Sequence, residues 1–313
     1  MKYVLKKTGI LIVTLLLISA LAFLAFQIIP GDPVSKILGT DYTPERAAAL
    51  RAQLGLDRPM TVRYFTWLKG LLTGDPGMSY SYFQPVREVM RGKIGVTAAL
   101  SILSWILVTG ISIPLGIIMA RYQSKGLDRL NVVLNQAFMA TPSFFLGILF
   151  AYLFGLVLHW FVPGQFIPFS KSFFGAIGGL FLPALAISIP KIAKVARLLR
   201  ASILNEMGND YVRTAYSRGN SRWGVIRDHV LPNALLPVIT YIAMTLADVV
   251  AGSIIVEQVF ALPGLGRLLL ASIGNRDYPV AQCIVVIIAF VVVFMNYLAD
   301  IVMQYVDPRV RLG

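Results

Sequence analysis

The sequence predicts an all-α integral membrane protein of about six transmembrane helices, and three observations carry that reading. The first is composition: over 313 residues, 57% are apolar and only 14% charged, where a soluble domain carries about a quarter. The second is the spacing of charges. None occurs in the 24 positions between Lys7 and Asp32, the 27 between Lys93 and Arg121, the 41 between Arg129 and Lys171, or the 19 between Lys171 and Lys191. Val230 to Val256 holds one, Asp248, and Tyr278 to Ala299 holds none. A helix needs roughly 20 apolar residues to cross a bilayer. The third is the distribution of Lys and Arg. With the N-terminus inside, the inner segments hold 16 of the 28, the two short outer loops hold three (Lys171, Arg267, Arg276) and the long outer segment 30–94 holds nine. Long segments translocate largely regardless of charge, so the short loops fix the orientation, with both termini cytoplasmic. The net charge of +13 is thus a topology signal rather than a nucleic-acid footprint.

The spans are expected near 8–29, 95–120, 132–159, 173–193, 233–256 and 279–303. The longest uncharged stretch is one span plus a loop, because Pro163-Gly164 and Pro168 interrupt it after Trp160. The first span competes with a cleavable signal peptide, since Lys2, Lys6 and Lys7 precede it and Ala20-Leu21-Ala22 resembles a cleavage site. Its apolar run continues to Ile29, beyond the roughly 7–15 residues of such a peptide, which favours retention. Cys283 is the single cysteine, so no disulfide forms within the chain. His159 and His229, the only histidines, leave no plausible metal cluster.

Between the first two spans, Thr43 followed by Pro44 and Glu45 is a helix start, propagated by Ala47 to Leu50 and closed at Gly55. Met60 to Leu72 mixes Tyr64, Phe65 and Trp67 with Arg63 and Lys69. That pattern fits a helix on the outer membrane surface or one packed on its own protein. Prolines 114, 142, 183, 190 and 237 interrupt spans, as is common in membrane helices. After the fourth span, Lys191, Lys194, Arg197 and Arg200 form a basic stripe reaching toward anionic headgroups. Asp210 is expected to cap a helix over 211–218 ending at Gly219, and Ser221 a second over 222–230 stopped by Pro232. Two short helices joined at Gly219-Asn220 make a protruding cytoplasmic elbow.

That elbow resembles the cytoplasmic loop of ATP-binding-cassette importer permeases, whose signature is Glu-Ala-Ala, three residues, Gly, nine residues, then Ile-any-Leu-Pro. Here Arg213-Thr214-Ala215 precedes Gly219 by the right interval, and His229-Val230-Leu231-Pro232 follows after nine residues. Ala215, Gly219, Leu231 and Pro232 match; Arg213, Thr214 and His229 depart toward the dipeptide, oligopeptide and nickel branch. Pro30-Gly31-Asp32-Pro33, Leu54 to Pro59, Phe260 to Arg267, Arg276 to Val280 and the tail Asp307 to Arg311 look like that branch too. The likeness covers the whole chain and points to the first of two similar permease subunits.

The resemblance implies a first helix over 1–29, an extracytoplasmic helical segment over 30–94, a core permease domain over 95–303 with its coupling loop at 195–232, and a tail at 304–313. It implies a subunit without enzymatic activity. No G-x-x-x-x-G-K-[ST] phosphate loop is present, since Gly92-Lys93 is followed by Ile94. ATP and Mg would be bound by two cytoplasmic P-loop ATPases seated on the elbows of this chain and a second homologous permease, and an extracytoplasmic binding protein would deliver substrate. Arg213, Thr214, Ala215, Gly219, His229, Leu231 and Pro232 are the expected ATPase-coupling residues. Asp248, ionisable and deep in the fifth span, is the candidate for the translocation path. Glu257, Arg267 and Asp277 are candidates for the binding-protein interface. Dipeptides or oligopeptides are the first substrate expectation and nickel or a metal chelate the second. An ATP-independent secondary transporter would normally show coupled intramembrane acids in repeated halves. A membrane enzyme would show a catalytic motif, and none is visible.

Overall fold

The computed structural model describes residues 2–28, 32–123, 126–162 and 164–306. Pro30-Gly31, Pro163 and the tail motif from Asp307 lie outside the described residues. Helices dominate what is described. In chain order they are α1 (Lys2–Ile28), α2 (Pro33–Leu38), α3 (Pro44–Gln53), α4 (Met60–Thr73), α5 (Val86–Met90), α6 (Lys93–Arg121) and α7 (Gly126–Ala140). Next come α8 (Ser143–Phe150), prolonged by a π-helical stretch Ala151–Val157, and α9 (Phe173–Glu206). α10 (Asp210–Ser217) and α11 (Arg222–Val225) follow, then a π-helical stretch Ile226–Val230 leading into α12 (Leu231–Val259), α13 (Leu265–Asn275) and α14 (Tyr278–Val306).

Among the described residues, five helical runs are long and apolar enough to cross a membrane, and a bent pair, counted as one span, makes a sixth. The span expected near 132–159 is broken at its proline: α7 and α8 meet at 96° across Thr141-Pro142. Pro142 lacks a donor and disfavours helical geometry at Thr141, whose hydroxyl turns back to the Ala137 carbonyl at 2.8 Å. Pro114, Pro183, Pro190 and Pro237, by contrast, sit inside unbroken helices. Nearby hydroxyls reach helix carbonyls there; Ser188 Oγ donates to Ala184 at 2.6 Å and to Ser104 at 3.0 Å.

The chain forms two compact units, neither continuous in sequence. Unit one runs to Thr97 and takes up Pro263–Val293; unit two is Ala98–Leu262 together with the stretch from Phe294. In unit one, α4 packs one face on α1. Tyr64 shares a 2.9 Å hydrogen bond with Ser19, and Phe23 stacks edge-on to Tyr64, 5.4 Å between centroids. Its other face leaves Phe65 and Leu72 exposed. Thr43 caps α3 by accepting from the Arg46 amide at 3.3 Å, a bond worth about 1 kcal/mol, and Gly55 follows its end at φ +66°. Asp32 caps α2 through the Val34 amide at 3.0 Å and pairs with Arg51.

In unit two, α9 is the axis against which α7, α8 and α12 pack. α6 crosses it at Gly116, where a Cβ would stand 2.9 Å from both the Ala196 carbonyl oxygen and Leu199 Cβ. Only glycine lets the two backbones approach that closely. Trp105 ties α6 to α12 by donating to the Ile242 carbonyl at 2.9 Å.

Candidate coupling elbow and transport path

The elbow is built by local rules. α10 starts one residue earlier than expected, with Asn209 rather than Asp210 in the capping position, and Asn209 Nδ2 donates to Glu206 at 2.9 Å instead of capping. Its C-terminus is a Schellman turn: the Gly219 amide bonds Tyr216 at 2.9 Å and the Asn220 amide bonds Ala215 at 3.4 Å. Gly219 adopts φ +85° with open space where a Cβ would stand, so it is the backbone conformation, not crowding, that asks for glycine. Ser221 then caps α11 through the Gly224 amide at 3.2 Å.

Pro232 does not stop the second helix, contrary to the sequence expectation. It is the second residue of α12, and helical backbone runs on through it from the π-helical stretch into the membrane span. The elbow's second arm and the fifth span are thus one rod from Arg222 to Val259.

The expected coupling residues divide by what they touch. Val212, Ala215, Val225 and Val230 are buried with Leu199 and Ile203 of α9, which seats the elbow on the body of unit two. Ala215 is therefore an anchor, and Leu231 is half-buried beside it. Arg213, Thr214, Gly219, His229 and Pro232 are exposed, with Tyr216, Arg218 and Trp223 among them. The Arg213–Asp210 contact of 3.6 Å is almost wholly in solvent, so Arg213 stays available to a partner. Burial and the Glu206 carboxylate, which accepts from its hydroxyl at 2.6 Å, hold the Tyr211 phenol above its usual range.

Within the membrane part of unit two, Asp248 is exposed on α12 between the buried neighbours Ala247 and Val249. Sequence reasoning missed its companion. Lys191 was assigned to the basic stripe heading for the cytoplasm, yet its ammonium lies against α12: a Cβ on Gly252 would stand 3.7 Å from Lys191 Nζ and 4.0 Å from Ser143 Oγ. Asp248 lies one helical turn before Gly252, so Lys191 and Asp248 border the same face of α12. A lysine in a run of basic residues carries no signal that sets it apart; only the antiparallel packing of α9 and α12 does.

In unit one, Asp277 is fully buried. Its carboxylate accepts from the Ser79 hydroxyl, from the Tyr80 amide at 3.0 Å and from the Ser81 amide at 3.3 Å, while Ser79 Oγ accepts from Tyr82 at 2.9 Å. The Thr97 hydroxyl accepts from the Leu265 amide at 2.8 Å. Glu257, in unit two, is likewise fully buried. Glu257 and Asp277, expected at the binding-protein interface, thus have carboxylates enclosed by their own chain. Arg267 remains on the surface, in a small cleft with Tyr82 and Lys93.

These features define a helical, multi-span membrane component with an exposed two-helix elbow. Residues 112–312 match the family model of the binding-protein-dependent transport system inner membrane component, and residues 1–101 match the N-terminal model of the same systems. The chain belongs to this family of permease subunits and is a multi-pass protein of the inner membrane. It is 36% identical over 308 residues to a Brucella abortus protein named as a peptide transport system permease, covering 98% of each chain. It is 33% identical over 337 residues to the dipeptide transport system permease protein of Escherichia coli, covering 99% of each. Among solved structures, an inward-facing methionine ABC transporter matches with a TM-score of 0.57 at 17% identity, over 70% of this chain and 96% of that one. That likeness establishes the fold of an ABC importer permease.

Proposed function

We propose that the chain is one of two homologous permease subunits of an ATP-driven, binding-protein-dependent importer that moves dipeptides or oligopeptides by alternating access. The observation that supports this most is similarity along essentially the whole chain to relatives named for peptide transport. In this reading two P-loop ATPases, which carry the ATP and Mg, clasp the elbows of this chain and its partner permease from the cytoplasm, where both termini also lie. Exposed Arg213, Thr214, Gly219, His229 and Pro232 face the ATPase, while Ala215 and Leu231 keep the elbow seated. Because α11 continues into α12, movement of the elbow is passed to the span as rigid-body motion. An extracytoplasmic binding protein delivers the peptide near Arg267. The names of the relatives favour peptides over a metal chelate as cargo.

The test is affinity purification of the tagged chain from its native membranes in mild detergent. A second permease, a P-loop ATPase and a peptide-loaded binding protein are expected to co-elute. A chain that elutes alone and supports uptake without ATP would overturn the proposal.

A further inference from the structure

Two ionisable side chains of opposite sign, Lys191 on α9 and Asp248 on α12, border one face of α12 far from either end of their helices. At about 1.5 Å per residue, Lys191 lies about 27 Å along α9 from Phe173 and about 23 Å from Glu206. Asp248 lies about 26 Å along α12 from Leu231 and about 17 Å from Val259. Charges at such depth are costly, and they persist where they face a water-filled path, a partner helix or each other.

The surroundings are not those of a sealed ion pair. Asp248 is exposed in the lone chain, on a helix whose neighbouring positions are buried. Gly252, one turn further along the same face, adds no side chain, so Lys191 Nζ and Ser143 Oγ border bare backbone. Ser143 also opens α8 at the break after Pro142, which brings the positive end of a helix dipole to the cation's side of the pair. One end of this group thus favours an anion and the other a cation, one turn of α12 apart.

Resting on the peptide-importer reading above, we propose that Lys191 and Asp248 form a two-point site on the translocation path for the ends of a zwitterionic peptide. Lys191, with Ser143 beside it, takes the terminal carboxylate, and Asp248 takes the terminal ammonium. When the path is empty the two side chains neutralise one another. When a peptide enters, each exchanges its partner for a peptide end, so neither charge is left uncompensated at any stage. An extended dipeptide reaches about 7 Å, short enough to lie along neighbouring turns of α12. A longer peptide engages one end at a time.

The experiment uses the complete importer, with its partner permease, ATPases and binding protein, in proteoliposomes, and trialanine as the probe. Uptake is measured per ATP hydrolysed, and binding-protein-stimulated ATP hydrolysis in the same vesicles reports correct assembly. Lys191→Met and Asp248→Asn are each expected to lower uptake per ATP about tenfold, the size of one charge-assisted hydrogen bond. Lys191→Arg, which keeps the charge, should retain most of it. The double variant Lys191→Met/Asp248→Asn decides between a substrate site and mere mutual neutralisation. A site stays impaired in the double variant, whereas a structural pair recovers once both charges are gone. Recovery in the double variant, or unchanged uptake per ATP in both single variants, would overturn the inference while leaving the importer reading in place. Absence of ATP-dependent trialanine uptake by the wild-type complex would instead overturn the peptide reading, and this site with it.

Discussion

Gly116 offers the sharpest test of the packing in unit two. In Gly116→Ala the new Cβ would stand 2.9 Å from the Ala196 carbonyl oxygen and Leu199 Cβ, and 3.0 Å from Leu199 Cδ2. Two of these are atoms that cannot rotate away, so α6 and α9 must separate by several tenths of an ångström, with a cost of about 1–3 kcal/mol. Alanine also gains about 1 kcal/mol over glycine in a helix interior, which masks part of that cost. Gly110→Ala, on the same helix with nothing within 4 Å of its Cβ, supplies the correction. The difference between the two variants removes the propensity gain and isolates the crossing. Thermal unfolding of the purified chain in detergent should place Gly116→Ala several degrees below Gly110→Ala, at about 2–4 °C per kcal/mol. Equal shifts in the two variants would refute the close crossing.

Three further outcomes are expected. Gly219→Val forces a β-branched residue to φ +85°. It should abolish uptake while leaving pull-down of the binding protein intact, and Gly219→Asn, which tolerates that conformation, should retain substantial activity. Asp277→Ala leaves the Ser79 hydroxyl and the Tyr80 and Ser81 amides without their acceptor. At about 1–3 kcal/mol per buried donor, the loop after Gly74 should become readily cleaved by protease added from outside, as the wild-type loop is not. For Asp32, burial pushes the carboxyl up, but hydrogen bonds from Arg51 and Val34 outweigh it and hold the group below its ordinary value of 3.8. A carboxyl lowered by folding contributes stability that is complete above the ordinary value and lost as pH falls through the folded one. Cleavage of α2–α3 by an acid-active protease should stay flat from neutrality down to about pH 4 and rise only below it.

Much of the fold is legible in the sequence because its signals are local. Uncharged runs mark the spans, and Thr43, Gly55, Ser221 and Gly219 cap helices through contacts within a few residues of themselves. Proline was read least well. Pro142 bends a span by 96° while Pro183 and Pro190 leave α9 straight through, since the outcome depends on which neighbouring hydroxyls and helices take up the freed carbonyls. Pro232, read as a stop, lies within a continuous helical run, because the π-helical stretch before it is invisible to a pattern built on α-helical spacing. Asp277 was read as surface because its partners, Ser79 to Ser81, lie nearly two hundred residues earlier. Lys191 was hidden in a periodic stripe, and only its distance from Gly252 separates it from Lys194 and Arg197.

The π-helical stretch Ile226–Val230 closes its hydrogen bonds over one residue more than the α-helices on either side, which amounts to a single inserted position. In an α-helix each residue advances the face by about 100°, so that surplus residue sets the azimuth of α11 relative to α12. The elbow's outward-pointing residues owe their heading to it as much as to their own identity. Gaining or losing a single position at this collar would re-aim Trp223 and Arg222 by more than a quarter turn without disturbing any membrane span. It is a place where one codon gained or lost turns the whole exposed face of the elbow.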